Sequence, residues 1–147
     1  MTKALILYYS RTGNTEKMAN AVAEGIKSTG EVEVEINYHV ETQDLSSYDA
    51  IIVGAPTYNH EMPLDFKNLF LEAAVEGISL KDKVAAVFGS YGWSGEAPKL
   101  ILEIMKYKFE MKTIEPPLLV KYTPDQNSLN ECKNLGRKVS ESLMNRA

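Results

Sequence analysis

Ser10-Arg11-Thr12-Gly13-Asn14-Thr15 stands between an apolar run and a helical pattern, and it holds three hydroxyls, one side-chain amide and one glycine. In a strand-to-helix turn of this kind, backbone N–H groups and the start of the next helix face a common point. Unsatisfied amides and the positive end of the helix dipole then make an anion site without a lysine. Ser10, Thr12 and Thr15 add hydroxyl donors and Asn14 an amide donor, while Gly13 lets the backbone turn close to a phosphate. The competing reading is that Thr15 only caps the helix. The flanking strand and helix fall where a phosphate site needs them, so phosphate binding is preferred.

Two further segments share this composition, Pro56 to Pro63 and Gly89 to Gly95. The second, Gly89-Ser90-Tyr91-Gly92-Trp93-Ser94-Gly95, sets two aromatic rings among three glycines. Trp93 is the one tryptophan of the chain and suits stacking on a planar ligand. The alternative is a ring folded back over the core, which the neighbouring glycines disfavour. His60 lies in the Pro56–Pro63 segment, where it is either a proton shuttle or an exposed loop histidine; the exposed loop is preferred. Arg11 either tunes the phosphate charge or is a solvated loop residue. Glu61, Asp65 and Glu96 form either an acidic rim for a partner or ordinary solvated charges. Cys132 falls on an apolar helix face and reads as a buried structural thiol, and His39 needs no function.

The elements that must position these segments follow from periodicity. Ala4–Tyr9, Ala50–Ala55 and Val84–Phe88 are continuous apolar runs, as in strands buried on both faces. Glu31 to Tyr38 alternates, with Val32, Val34, Ile36 and Tyr38 on one side, which suits an edge strand. Leu118 to Tyr122 is the last strand, after Pro116-Pro117. Helical faces read as Met18, Ala19, Val22, Ile26; then Phe66, Leu69, Phe70, Ala73, Ala74; then Ile101, Ile104, Met105, Lys108; then Leu129, Cys132, Leu135, Val139, Leu143. Val40 to Ser47 is a short helix at best. Five strands alternating with four helices and one doubtful one predict an α/β protein: a parallel sheet with helices on both faces. Ligands of such sheets bind beyond the carboxyl ends of the strands, which is where the three unusual segments lie.

The 147 residues suit one domain, residues 1–147, and 44% apolar content supplies a core. A net charge of −4 with scattered Lys and Arg argues against nucleic acid. A lone cysteine makes no internal disulfide, and no Cys/His cluster has metal-ligand spacing. With no run of membrane-spanning length and no signal-peptide pattern, a cytoplasmic protein is expected. The first loop is neither a P-loop nor G-x-G-x-x-G. A phosphotransfer receiver needs acidic residues after the first strand and an Asp after the third, where Tyr9-Ser10 and Pro56-Thr57 stand.

Ser10-Arg11-Thr12-Gly13-Asn14-Thr15 resembles the flavodoxin phosphate loop, (S/T)-x-T-G-x-T. Gly54-Ala55-Pro56-Thr57-Tyr58-Asn59 and Gly89 to Gly95 are similar to segments of the flavodoxin domain of flavodiiron proteins, the A-type flavoproteins. The likeness runs from about Lys3 to Leu143, with no inserted loop in the last strand. It implies a flavodoxin-like three-layer sandwich, a five-stranded parallel sheet in the order 2-1-3-4-5, and non-covalently bound flavin mononucleotide (FMN). It also implies a cofactor site of Ser10, Arg11, Thr12, Gly13, Asn14 and Thr15, of Pro56, Thr57, Tyr58 and Asn59, and of Ser90, Tyr91, Gly92, Trp93 and Gly95. Within it, Ser10, Thr12, Asn14 and Thr15 match phosphate positions, the Thr57–Asn59 loop lies beside the isoalloxazine, and Trp93 takes the outer stacking position. The function implied is electron transfer between redox partner proteins, a reductase donor and an acceptor. A reductase acting on a quinone, oxygen or a metal complex is the runner-up, and a flavin-free interaction module the alternative of another class. The chain resembles that flavin domain standing alone, without the iron-holding domain.

Many flavodoxins carry a glycine in the second loop, whose peptide flips to hydrogen-bond flavin N5 once one electron has been added. No glycine stands between Ala55 and Pro63, and Asn59 tolerates positive φ less well. A redox titration followed by absorbance is therefore expected to accumulate little neutral one-electron-reduced flavin; a large fraction would refute this reading of the loop.

Overall fold

A computed structural model describes residues 2–9, 13–55, 64–91, 96–121 and 123–145, with Leu64, Asp65 and Tyr91 described by backbone alone. The apolar runs form one sheet. Strands β1 (Thr2–Tyr8), β2 (Val32–Asn37), β3 (Ala50–Gly54), β4 (Val84–Tyr91) and β5 (Lys112–Thr113) lie in the order β2-β1-β3-β4-β5, all pairs parallel, and β6 (Leu118–Lys121) also pairs with β4. The order 2-1-3-4-5 is the one expected from the resemblance.

Alternation within β1 sends Ala4 and Ile6 into one core and Leu5 and Leu7 into the other. Helices α1 (Asn14–Lys27) and α4 (Gln126–Met144) cover the first face; α2 (Leu64–Val75), α3 (Glu96–Glu103) and a 3₁₀ turn at Thr42–Ser47 cover the second. The doubtful helix after β2 is that 3₁₀ turn, closed by reciprocal hydrogen bonds between Glu41 and Asp44.

Three details differ from the pattern read in the sequence. The fifth strand position is filled by two pieces. Between the pairs Ala85–Thr113 and Phe88–Leu118, β4 advances three residues while the outer chain advances five, so two residues bulge out. Ile114 still donates to the Ala85 carbonyl at 2.8 Å. Pro116 and Pro117 follow, and without an N–H they cannot continue the ladder. The third helix ends in a π-helical turn, Ile104–Lys108, closed by Phe109 N–H to Ile104 carbonyl at 3.3 Å. The wider turn carries Lys108 out to solvent and seats Phe109, which packs near Phe70 with ring centroids 5.9 Å apart. On β2, the apolar face is covered only at its start: Val32 is buried, but Ile36 is 38% and Tyr38 77% exposed. The opposite face is not simply wet, because Glu35 accepts a hydrogen bond from Tyr48. Burial and that carboxylate push the Tyr48 phenol up to about 12.

Helix α1 is held from behind by α4. A Cβ on Gly25 would lie 2.0 Å from the Lys133 carbonyl oxygen, and one on Gly136 would lie 2.2 Å from that of Val22. The two backbones therefore touch where each helix lacks a side chain. Beside them the buried Ser140 hydroxyl donates to the Ile26 carbonyl at 3.1 Å. Met18, Ala19, Val22 and Ile26 meet Cys132, Leu135, Val139 and Leu143 around this contact, as their spacing predicts. Cys132 is free and buried, and burial pushes its thiol up to about 12. Among the described residues no helix is long and apolar enough to cross a membrane.

Replacing Gly136 with Ala forces the helices apart or strains them. The expected loss is about 1–3 kcal/mol in urea unfolding; an unchanged midpoint would mean that this contact carries no constraint.

Candidate functional site

β1 and β3 are neighbours, yet the helices after them leave on opposite faces, α1 on one and α2 on the other. This switch in winding opens a crevice at the carboxyl edge of the sheet, between the strands. Tyr8 stands level with Gly54, and Gly54 with Phe88. Pairing continues past the strands, since Tyr9 N–H donates to the Gly54 carbonyl at 2.9 Å and Ala55 N–H to Phe88 at 3.0 Å. The three segments singled out in the sequence therefore leave from adjacent strands.

Gly13 caps α1 in the left-handed region, with φ 88° and ψ −7°, and its carbonyl accepts the Lys17 N–H at 3.1 Å. Among the described residues an added Cβ would meet nothing within 4 Å, and the positive φ alone favours glycine here. No described side chain caps the helix. Thr15 is its second residue, which sets aside the reading in which Thr15 is the cap. The first-turn amides lack helical acceptors, and the dipole adds positive potential there. The donors thus suit an anion such as phosphate.

Thr15 is 1% exposed and Ser90 6%, and their hydroxyl oxygens stand 3.5 Å apart. Gly54 makes this approach possible: a Cβ there would lie 2.4 Å from the Phe88 ring and 3.1 Å from the Thr15 methyl. At Gly89 a Cβ would lie 2.0 Å from the Ala55 carbonyl oxygen and 2.8 Å from Pro98. Burial and the neighbouring Glu16 carboxylate push the Tyr8 phenol upward, keeping it neutral at the strand end. A cleft of about 220 Å³ lies elsewhere, between residues 38–42 and α2. Its walls carry the Glu41 and Glu72 carboxylates beside His39, a lining that does not favour a phosphate.

Of the expected site residues, Gly13, Asn14, Thr15 and Ser90 are described, and Tyr91 by its backbone. Ser10, Arg11, Thr12, Pro56, Thr57, Tyr58, Asn59, Gly92, Trp93 and Gly95 lie outside the described residues, as do His60 and Glu61. Ser90 and Tyr91 belong to β4 and not to a loop, because the strand runs three residues past Phe88. Gly54 and Phe88 were not singled out as site residues. Their signal was a glycine inside the end of one apolar run and a ring closing the next.

The sequence profile of the flavodoxin family matches residues 6–136. Type A flavoprotein fprA of Rhodobacter capsulatus is 33% identical over 97% of this chain and 34% of its own length. The solved structure of a flavodoxin from the domain Archaea superposes with a TM-score of 0.89 at 37% identity, covering 97% of this chain and 99% of that one. The Flv1 flavodiiron core from Synechocystis superposes at 0.86 with 25% identity, covering 99% and 37% respectively. The chain spans between 24% and 36% of the length of the curated relatives it matches.

Gly13→Ala places a Cβ in the left-handed region, with no compensating contact among the described residues. A loss of about 1–2 kcal/mol is expected in chemical unfolding, with Gly13→Asn retaining part of it; equal stability of all three forms would contradict the strain argument.

Proposed function

The chain belongs to the flavodoxin family, whose cofactor is FMN, and on that footing we propose that it is an electron carrier exchanging electrons between protein partners. The observation that carries this reading is the start of α1 at the switch point, where no described side chain caps the helix, Gly13 is left-handed and two buried hydroxyls stand behind it. That donor set fits a phosphate monoester at a helix N-terminus.

Ser10, Thr12, Asn14 and Thr15 would hold the phosphate, with Arg11 beside it and Gly13 giving the turn. Pro56 to Asn59 and Tyr91, Gly92, Trp93 and Gly95 would line the ring, Trp93 stacking on it, whereas Ser90, a buried hydroxyl 3.5 Å from that of Thr15, would stand behind the phosphate end. When bound, FMN supplies the redox chemistry, and the protein supplies orientation and local potential. The Tyr8 phenol, held protonated, brings no charge to the edge of the site. Similarity over nearly the full length of an archaeal flavodoxin supports a carrier over a reductase. The partners would be a reductase donor and an acceptor protein. The chain would act as one flavin-binding unit, and in the cytoplasm, where a lone buried thiol is stable.

Purified protein is expected to be yellow, to release one FMN per chain on denaturation, and to exchange electrons rapidly with a reductase and an acceptor in stopped flow. Turnover with nicotinamide donors is expected to be slow. Saturable turnover of a quinone or oxygen would favour the reductase reading, and colourless protein that cannot be reconstituted would overturn both.

A further inference from the structure

Alternate residues of β4 face the α1 layer. Val84, Ala86 and Phe88 belong to the apolar core there, and Ser90, next in that register, is a buried hydroxyl. A hydroxyl costs free energy to bury unless it is hydrogen-bonded, so its partner is informative. The partner is the Thr15 hydroxyl, 3.5 Å away across 75 residues of chain. The Thr15 methyl lies beside Gly54, 3.1 Å from where a Cβ would stand, while its hydroxyl is the side-chain atom that meets Ser90.

We propose that Ser90 is a positioning residue for the phosphate end of the cofactor, acting through Thr15; this rests on the FMN reading above. Between two hydroxyls alone, either oxygen can be the donor. A phosphate dianion removes that freedom, because it only accepts. Thr15 must then donate to the anion, and its own oxygen accepts from the Ser90 O–H. The anion thus sets the direction of a two-hydroxyl chain whose members polarise one another in a dry environment. Ser90 acts on the phosphate from the strand layer without touching it, and it ties the end of β4 to the first turn of α1.

The test measures the affinity of the full chain for FMN and for riboflavin, which lacks only the phosphate, by quenching of flavin fluorescence. Wild type, Ser90→Ala, Thr15→Val and the double variant are compared. Ser90→Ala is expected to weaken FMN binding roughly fivefold to tenfold, the scale of one hydrogen bond to a charge-linked group, with riboflavin affinity unchanged. Thr15→Val is expected to weaken FMN binding further, and the double variant to match Thr15→Val. Ser90→Cys, which keeps the shape with a weak donor, is expected to behave as Ser90→Ala and serves if the alanine variant folds poorly. The phosphorus resonance of bound FMN is expected to shift in Ser90→Ala while the flavin absorption stays the same. Unchanged FMN affinity, equal losses for both flavins, or additive losses in the double variant would each overturn the proposal. A wild type that binds neither flavin removes the FMN reading itself, an outcome distinct from a wild type that binds FMN and a Ser90→Ala variant that binds it equally.

Discussion

β1 and β3 run side by side, in a register that pairs Ala4 with Ala50 and Tyr8 with Gly54, and the helices that follow them depart on opposite faces. Parallel strands with right-handed crossovers permit this only where the chain changes its direction of winding. The crevice at that point is a consequence of connectivity. It exists whatever side chains line it, and the chemistry comes from what the sequence places there: a left-handed glycine, a helix start and buried hydroxyls.

A helix N-terminus attracts an anion only if the helix is held in place. For α1 the hold is backbone against backbone, at Gly25 and Gly136, reinforced by Ser140 on the Ile26 carbonyl. At the other end, Gly54 leaves room for the Phe88 ring and the Thr15 methyl, which would lie 2.4 and 3.1 Å from a Cβ there. The helix is therefore pinned at both ends by glycines whose missing side chains set distances between layers. Interiors packed at this density respond to a single methylene, so the site inherits its precision from the core.

Much of this was readable from patterns that repeat. Strands buried on both faces left apolar runs at Ala4, Ala50 and Val84, and amphipathic helices left faces at three- and four-residue spacing. Features without a repeat were not readable. Lys112–Thr113 is too short for any period, and its strand mate is displaced by two prolines. Lys108 shared a helical face on paper, but an added residue in the turn rotated it outward. The α1–α4 glycine contact joins residues with no local signature, and Ser90 read as a loop residue because its partner lies in another element. In the site, composition marked which segments matter, whereas the contacts between them depend on tertiary packing.

One feature of the α1–α4 seam bears on the chemistry of a flavin protein. Reduced flavins react with oxygen to form peroxide, and a thiol is open to attack in proportion to its thiolate fraction. With its thiol pushed up to about 12 by burial, Cys132 stays protonated at neutral pH. The one oxidisable sulfhydryl is thus sealed under a helix seam. The same glycine-lined packing that aligns the anion site also acts as chemical insulation, keeping oxidants away from the Cys132 sulfur.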